Sequence, residues 1–360
     1  MAQENRKLIK RSVRFSLENA NLSKKKFLDF LHDEYIKAVR WFIKEGKKIG
    51  KLSYEQVKYY PFKTFLSKRW LSCALKQAKW MLDAKIKNEV SENLPIRIDT
   101  RIYKLIKEKA TSFDFWFCLR DSMNNRWLFY PIKDYVYRKK YDDWKMCDEV
   151  ELFKRKGKWY LSIVYKKEVE LQNKQPIGID IGYNKLIVTS QGRFFGVHIK
   201  SLIERIANKQ QGSKQWKKMK YYIKTEINKI INEVVTGNET IIIENLKNLK
   251  KGKFFNKKMR KKFNFWIYSY VLNRIKKVCE TKNVSWFMVN PKNTSRLCPL
   301  CGYVDKANRL GEFFKCKKCN YTDDADIVGA RNILKNFLNH LDDSKGVYSP
   351  LTCENSGRKE

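Results

Sequence analysis

Seven residues of this chain combine types and spacings that suit chemistry. Cys298 and Cys301 (CPLC) and Cys316 and Cys319 (CKKC) make two Cys-x-x-Cys pairs with fourteen residues between them. Each such turn presents two thiolates to one metal ion, and two turns complete a tetrahedron. Four sulfurs leave no open coordination position, so the expected ion is Zn²⁺ in a structural role, helping its own segment to fold. The other three are carboxylates. Asp180 lies in IGIDIGYNKLIV (177–188), Glu244 ends the apolar run of ETIIIENL (239–246), and Asp326 lies in DDADIVGARNIL (323–334).

Asp180 poses the sharpest question, because an ionised group inside an apolar strand costs several kcal/mol unless something compensates it. Either the strand surfaces there or a cation waits beside it. Taken singly, each acid has an ordinary explanation as an exposed strand end or a helix cap. On neighbouring elements of one sheet they would converge at one edge and repel one another unless divalent cations held them. Two Mg²⁺ ions about 4 Å apart would activate a water and stabilise the leaving oxygen of a phosphodiester. Asp324 is the alternative third acid if the register is off by two. Gly178 and Gly182, flanking Asp180, let backbone or substrate come close. Cys73, Cys118, Cys147, Cys279 and Cys353 lie apart, and His32, His198 and His340 are scattered, building neither a triad nor a His-rich site.

The elements that must position these groups read as an α+β multidomain chain. KLIKRSVRFS (7–16) alternates like a first strand. SKKKFLDFLHDEYIKAVRWFIKEG (23–46) spaces its apolar residues as a helix, with Ser23 as N-cap and Gly46 as stop. A second helix after Pro61 carries Leu71, Ala74, Leu75, Ala78, Leu82 and Ile86 on one face. Residues 97–167 read as antiparallel strands of a small barrel or sandwich, one hairpin turning at Lys156-Gly157. From Pro176 the pattern becomes α/β. IGIDIG, NKLIVTS and GRFFGVHI (192–199) are strands, and a long helix bears Trp216, Met219, Ile223, Ile227, Ile230 and Val234. ETIIIENL, a helix at about 263–281 and the strand SWFMVN (285–290) follow. Three hairpin strands, then helix, strand, helix, strand, is the order of an RNase H-like sheet.

Charge points to the partner. With 77 Lys+Arg against 38 Asp+Glu the formal net charge is +39, which suits a polyanion, and nucleic acid first among them. A solvated surface or ribosome association explains the charge less specifically. The run 251–262, with Lys257, Lys258, Arg260, Lys261 and Lys262, is the part most able to track phosphates. No apolar stretch approaches the roughly 20 residues of a membrane span and no apolar signal core opens the chain, so a cytoplasmic protein without a membrane partner is expected. Nine cysteines in that compartment argue for metal ligands and free thiols ahead of disulfides.

IGIDIG, IIIEN, TSRLCPLCG followed by CKKC, and DADIVGARNI, in that order, resemble the three RuvC motifs and inserted zinc finger of the TnpB family, transposon-encoded relatives of the type V CRISPR effectors. The resemblance covers residues 176–340. It implies that Asp180, Glu244 and Asp326 are the catalytic, magnesium-binding acids and that Cys298, Cys301, Cys316 and Cys319 bind zinc. It implies an RNA-guided DNA endonuclease, with guide RNA and target DNA as partners, a short recognition motif beside the target, and one RuvC-like active site. The implied layout is a first part of a β-barrel wedge domain at 1–20, a helical recognition domain at 21–92 and the rest of the wedge at 93–172. The nuclease domain follows at 173–297, a zinc-finger insertion at 298–322, the end of the nuclease domain at 323–342 and a flexible tail at 343–360. One departure is visible: the family's last motif commonly runs Asp-x-Asn, and here Val328 replaces that amide. The same residues also fit a compact type V CRISPR effector, a guided DNA-binding repressor that does not cut, and an unguided resolvase or RNase H. Monomer and homodimer are both open.

Overall fold

The computed structural model describes residues 6–84, 90–107, 111–135, 138–245 and 265–343. The basic run with Lys257, Lys258, Arg260, Lys261 and Lys262, the segment after 343 and Cys353 lie outside the described residues. Two compact units make up the chain, one covering Leu8–Glu168 and the other beginning at Val169.

In the first unit, strand β1 (Arg6–Ser16) precedes helices α1 (Leu22–Ile49), α2 (Glu55–Lys58) and α3 (Lys68–Asp83). Strands β2 (Ile96–Ile98), β3 (Tyr103–Ile106), β4 (Phe115–Asp121), β5 (Arg126–Ile132), β6 (Lys145–Arg155) and β7 (Lys158–Glu170) follow. They form a four-stranded sheet in the order β1-β7-β6-β2 and a three-stranded antiparallel sheet β3-β4-β5. Both sheets and the helices share one core, in which Leu31, Tyr35, Trp70, Phe117, Tyr130, Leu152 and Trp159 are buried. The β6–β7 hairpin turns where the sequence expects it. Lys156 (φ 51°) and Gly157 (φ 76°) both take left-handed backbone, the geometry of a two-residue hairpin.

The ends of α1 depart from expectation. Asn21, and not Ser23, is the N-cap: its side chain accepts from the Lys24 amide at 3.0 Å, while the Ser23 hydroxyl donates to it. The helix also runs past Gly46 to Gly50, which takes φ 77°. Gly46 is a packing position. A Cβ there would lie 2.5 Å from a methyl of Leu82 on α3, so its missing side chain lets the two helices approach.

The second unit begins with β8 (Gln175–Asp180), β9 (Ile187–Thr189) and β10 (Phe194–Phe195), then α4 (Ile199–Ala207), α5 (Lys214–Val234), β11 (Glu239–Glu244), α6 (Phe265–Thr281) and β12 (Trp286–Val289). Three short strands, β13 (Arg309–Leu310), β14 (Phe313–Lys315) and β15 (Thr322–Asp324), lead into α7 (Ala325–Asp343). The third strand is shorter than GRFFGVHI suggested. Gly196, at φ 70°, turns the chain, and α4 has begun by Ile199.

The five-stranded sheet runs β10-β9-β8-β11-β12, antiparallel through β8 and parallel from β8 to β12. Side chains alternate across it. Ile177, Ile179, Ile241, Ile243, Trp286 and Met288 pack with α4, α5 and α6 on one face. Ile242, Phe287 and Val289 pack with Ile333 and Phe337 of α7 on the other. Covered on both faces, β11 carries three consecutive isoleucines, Ile241–Ile243, instead of alternating. Helix α7 reaches the sheet through Gly178, where a Cβ would lie 2.2 Å from the Ala330 carbonyl oxygen and 2.9 Å from the Leu334 amide nitrogen. No side chain fits in that space. Gly178→Ala is therefore expected to cost about 1–3 kcal/mol by pushing the helix off its strand, measured as a lowered unfolding midpoint. A parental midpoint would overturn this account of the glycine.

Candidate active site and metal centre

Asp180 and Glu244 end neighbouring parallel strands. Ile179 stands opposite Ile243, so one step further along the same register sets Asp180 beside Glu244. Alternation turns both side chains to the face that α7 covers. Asp326 enters from above, in the first turn of that helix. The acids thus gather at the end of the sheet where β8 and β11 finish, and not at a lateral edge, because β8 is its central strand. Asp180 and Glu244 are half-buried and Asp326 is 9% exposed.

This crowding is felt electrostatically. Loss of water raises the Asp180 carboxyl first, the charges of Glu244 and Asp326 add to it, and its pKa is pushed up to about 7 although Arg309 and the Ile181 amide oppose the shift. Burial also raises Glu244, against a hydrogen bond from Thr294 and the charge of Arg309. The Thr294 hydroxyl donates to Glu244 Oε1 at 2.5 Å. Arg309 Nη2 lies 2.9 Å from Asp326 Oδ1, and Lys185 Nζ lies 3.5 Å from Asp326 Oδ2.

Asp324 has other duties. Its Oδ1 accepts from the Asp326 amide at 2.9 Å and the Ile327 amide at 3.4 Å, capping α7, and its Oδ2 pairs with Lys185 at 2.6 Å. It is a cap of the ordinary kind. Gly329 keeps Asp180 free of steric contact, since a Cβ there would lie 2.9 Å from Asp180 Oδ2.

The four cysteines also converge. Their sulfurs all lie within 4.8 Å of one another, with Cys298–Cys319 at 3.6 Å and Cys301–Cys316 at 3.5 Å. A tetrahedral ion with Zn–S bonds of 2.3 Å requires sulfurs about 3.8 Å apart, so the set fits a four-coordinate metal. Two matching turns build it. The Gly302 and Asn320 amides donate to the Cys298 and Cys316 carbonyls, both at 3.0 Å, and both residues take left-handed backbone. Cys316 Sγ accepts from the Lys318 and Cys319 amides at 3.4 and 3.5 Å. Desolvation works against its thiolate, but these amides prevail and hold its pKa at about 6. Val328 is buried against Cys298, Phe314, Cys316 and Ala325, so the residue in place of the expected asparagine serves the core of the cysteine module.

Sequence reasoning missed Arg309, Lys185, Thr294 and Gly329. The two cations were hidden among 77 basic residues. Gly329 did leave a signal, since a glycine inside a helix costs about 1 kcal/mol and calls for a packing reason. No helix among the described residues is long and apolar enough to cross a membrane.

Comparison with known proteins finds similar chains. Residues 268–333, which hold α6, β12 and most of the cysteine module, match the family described as Cas12f1-like, TNB domain. The chain is 26% identical over 267 residues to the TnpB-like protein aq_aa05 of Aquifex aeolicus, a match covering 60% of this chain and 87% of that protein. It is 26% identical over 328 residues to the CRISPR-associated endodeoxyribonuclease Cas12f1 of Syntrophomonas palmitatica, covering 71% of this chain and 63% of that one, so it spans under two thirds of that relative. A Cas12f1 solved by cryo-EM with sgRNA and target DNA superposes with a TM-score of 0.56 over 87% of this chain and 83% of that one; at 14% identity the likeness is one of mixed α/β fold. Ordered acids and paired cysteines, the matching domain and the relatives point the same way: the chain carries a Cas12f1-like TNB domain and is similar to TnpB-like proteins.

Proposed function

We propose that the chain is an RNA-guided, Mg²⁺-dependent DNA endonuclease with a single RuvC-like active site at Asp180, Glu244 and Asp326. The observation that carries this reading is the meeting of three carboxylates at one sheet end, where burial first and then the charges of Glu244 and Asp326 push Asp180 up to about 7. Such a site holds more negative charge than Arg309 alone offsets, and hard divalent cations with oxygen ligands suit it. Bound there, the cations would supply the Lewis acidity that generates a nucleophilic water and steadies the leaving oxygen of a phosphodiester.

The chain's own residues do the rest. Asp180 and Glu244 are fixed by the strand register and Asp326 by the first turn of α7. Arg309 tethers Asp326 and brings positive charge to where a phosphate would approach. The Cys298, Cys301, Cys316 and Cys319 set would hold a structural zinc. A net charge of +39 supports polyanionic partners, and the name of a relative 28% identical over 216 residues, the putative RNA-guided DNA endonuclease InsQ of Escherichia coli, supports guide RNA and target DNA as those partners. Lys257, Lys258, Arg260, Lys261 and Lys262 are proposed to track phosphates of the guide. In domain terms, residues 1–20 and 93–172 would be the wedge, 21–92 the recognition domain, and 173–297 with 323–342 the nuclease domain that carries the zinc insertion at 298–322.

Cleavage of a matched plasmid by the guide-loaded protein should vanish in EDTA. Asp180→Ala or Glu244→Ala should slow it by roughly 100-fold or more, since even residues supporting a metal ligand are worth about 10–100-fold, while RNA and DNA binding persist. Undiminished cutting by either variant would discard the site.

The raised Asp180 makes a separate demand on stability. Its folded pKa of about 7 exceeds the ordinary carboxylate value of about 3.9, so the folded state holds this proton more tightly than the unfolded chain. Stability from this group is then lost as pH rises from about 4 to about 7. Metal-free Asp180→Asn should out-melt the parent at pH 8, with the advantage shrinking toward pH 4, and Mg²⁺ at pH 8 should raise the midpoint of the parent alone. A pH-independent difference would refute the shift.

Metal analysis of the purified chain should find zinc, and Cys316→Ser should lower both zinc content and the unfolding midpoint. Zinc retained in full by that variant would remove Cys316 from the ligand set.

A further inference from the structure

We propose that Thr294 is a positioning residue that holds Glu244 in its metal-binding rotamer, with Asn332 of α7 holding Thr294 in turn. The inference rests on the reading of Asp180, Glu244 and Asp326 as metal ligands. Thr294 is 5% exposed and follows β12 in the segment that leads to Cys298. Its Oγ1 lies 2.5 Å from Glu244 Oε1 and 3.2 Å from the Pro291 carbonyl oxygen. A hydroxyl has one proton to give, and the nearer, charged acceptor takes it. That bond favours the ionised form of Glu244 and engages one oxygen, which fixes the plane in which the other can meet a cation.

Thr294 is itself held. Its carbonyl accepts from Asn332 Nδ2 at 2.7 Å, and the second hydrogen of the same amide goes to the Leu297 carbonyl, also at 2.7 Å. Asn332 is fully buried, so this fork cannot exchange readily with water. It stands six positions beyond Asp326 on the same helix. The helix that carries one acid thereby also fixes, through Asn332 and Thr294, the strand-end acid opposite. Threonine suits the post, because branching at Cβ restricts its χ1. Ligating side chains elsewhere depend on hydrogen-bonded partners of this kind, whose loss costs about 10–100-fold in metal affinity.

Thr294→Val keeps the shape and removes the hydroxyl. Calorimetric Mn²⁺ titration of the full, zinc-loaded chain should show affinity at the acidic site falling about 10–100-fold. Cleavage by the guide-loaded variant should need correspondingly more Mg²⁺ and recover at saturation. Thr294→Ser should restore Mn²⁺ affinity to near the parental value, and the unfolding midpoint and guide binding of the valine variant should stay close to parental. A merely structural residue would lower the midpoint and leave the Mn²⁺ affinity of the folded protein alone. Parental Mn²⁺ affinity in Thr294→Val, or in Thr294→Ala should the valine variant not fold, overturns the proposal. Glu244→Ala run in parallel separates the two readings. If it keeps Mn²⁺ binding and cleavage, the metal-site reading falls; if it loses them while Thr294→Val matches the parent, the positioning role alone falls.

Discussion

Backbone touches backbone where strand β8 passes beneath helix α7 at Gly178, and the geometry of the acid cluster depends on that contact. The Ala330 carbonyl occupies the space a Cβ would need. Any larger residue would lift the helix, and with it Asp326, away from the two strand ends it must overhang. Gly329, the residue before Ala330, repeats the device on the helix, giving Asp180 the room its carboxylate takes. Two glycines, one in a strand and one in a helix, are tolerated against their propensity costs because each opens a place for a functional group.

The second constraint is charge. Bringing three acids together opposes folding, and the protein answers with a small set of neighbours, Arg309 and Lys185 on Asp326 and Thr294 on Glu244. Asp180, on the central strand of the sheet, is raised first by burial and then by the charges of Glu244 and Asp326. Arg309 belongs to β13, inside the cysteine module, so the module does more than cap the domain. It contributes a side chain to the acid cluster, and its core residue Val328 sits on the helix that bears Asp326. Lys185, from the turn after β8, joins the cap Asp324 and Glu312 of the module to the same group. A local negative pocket within a chain of net charge +39 is the division of labour that the proposed nuclease would need.

Much of this was legible in the residues alone. The four cysteines announced a metal centre because two thiolates on a tight turn have few other uses at that spacing, and the fold brings their sulfurs together. The order of strands and helices in the second unit followed from apolar runs and helical periodicity, since a strand buried on both faces and a helix buried on one leave distinct patterns. Asp180 stood out because a carboxylate amid isoleucines is too costly to be incidental. Errors gathered at boundaries. Asn21 displaced Ser23 as the cap of α1, and Gly46 proved to be a packing site, because a cap and a close contact use the same small residues and only the neighbour across the gap, Leu82, tells them apart.

What the sequence by itself determined, then, was which groups have the types and spacing for chemistry and on what kind of element each would sit, for composition and periodicity are local properties of a chain. The folded structure alone decided how those groups meet. It put Asp180 and Glu244 on adjacent strands at the sheet's end, gave Asp324 to the helix cap and Asp326 to the cluster, and chose Arg309, Lys185 and Thr294 as their partners from among many equivalent side chains. Those choices depend on contacts between residues up to 146 positions apart, as between Asp180 and Asp326. No pattern of neighbours along the chain encodes a distance of that kind.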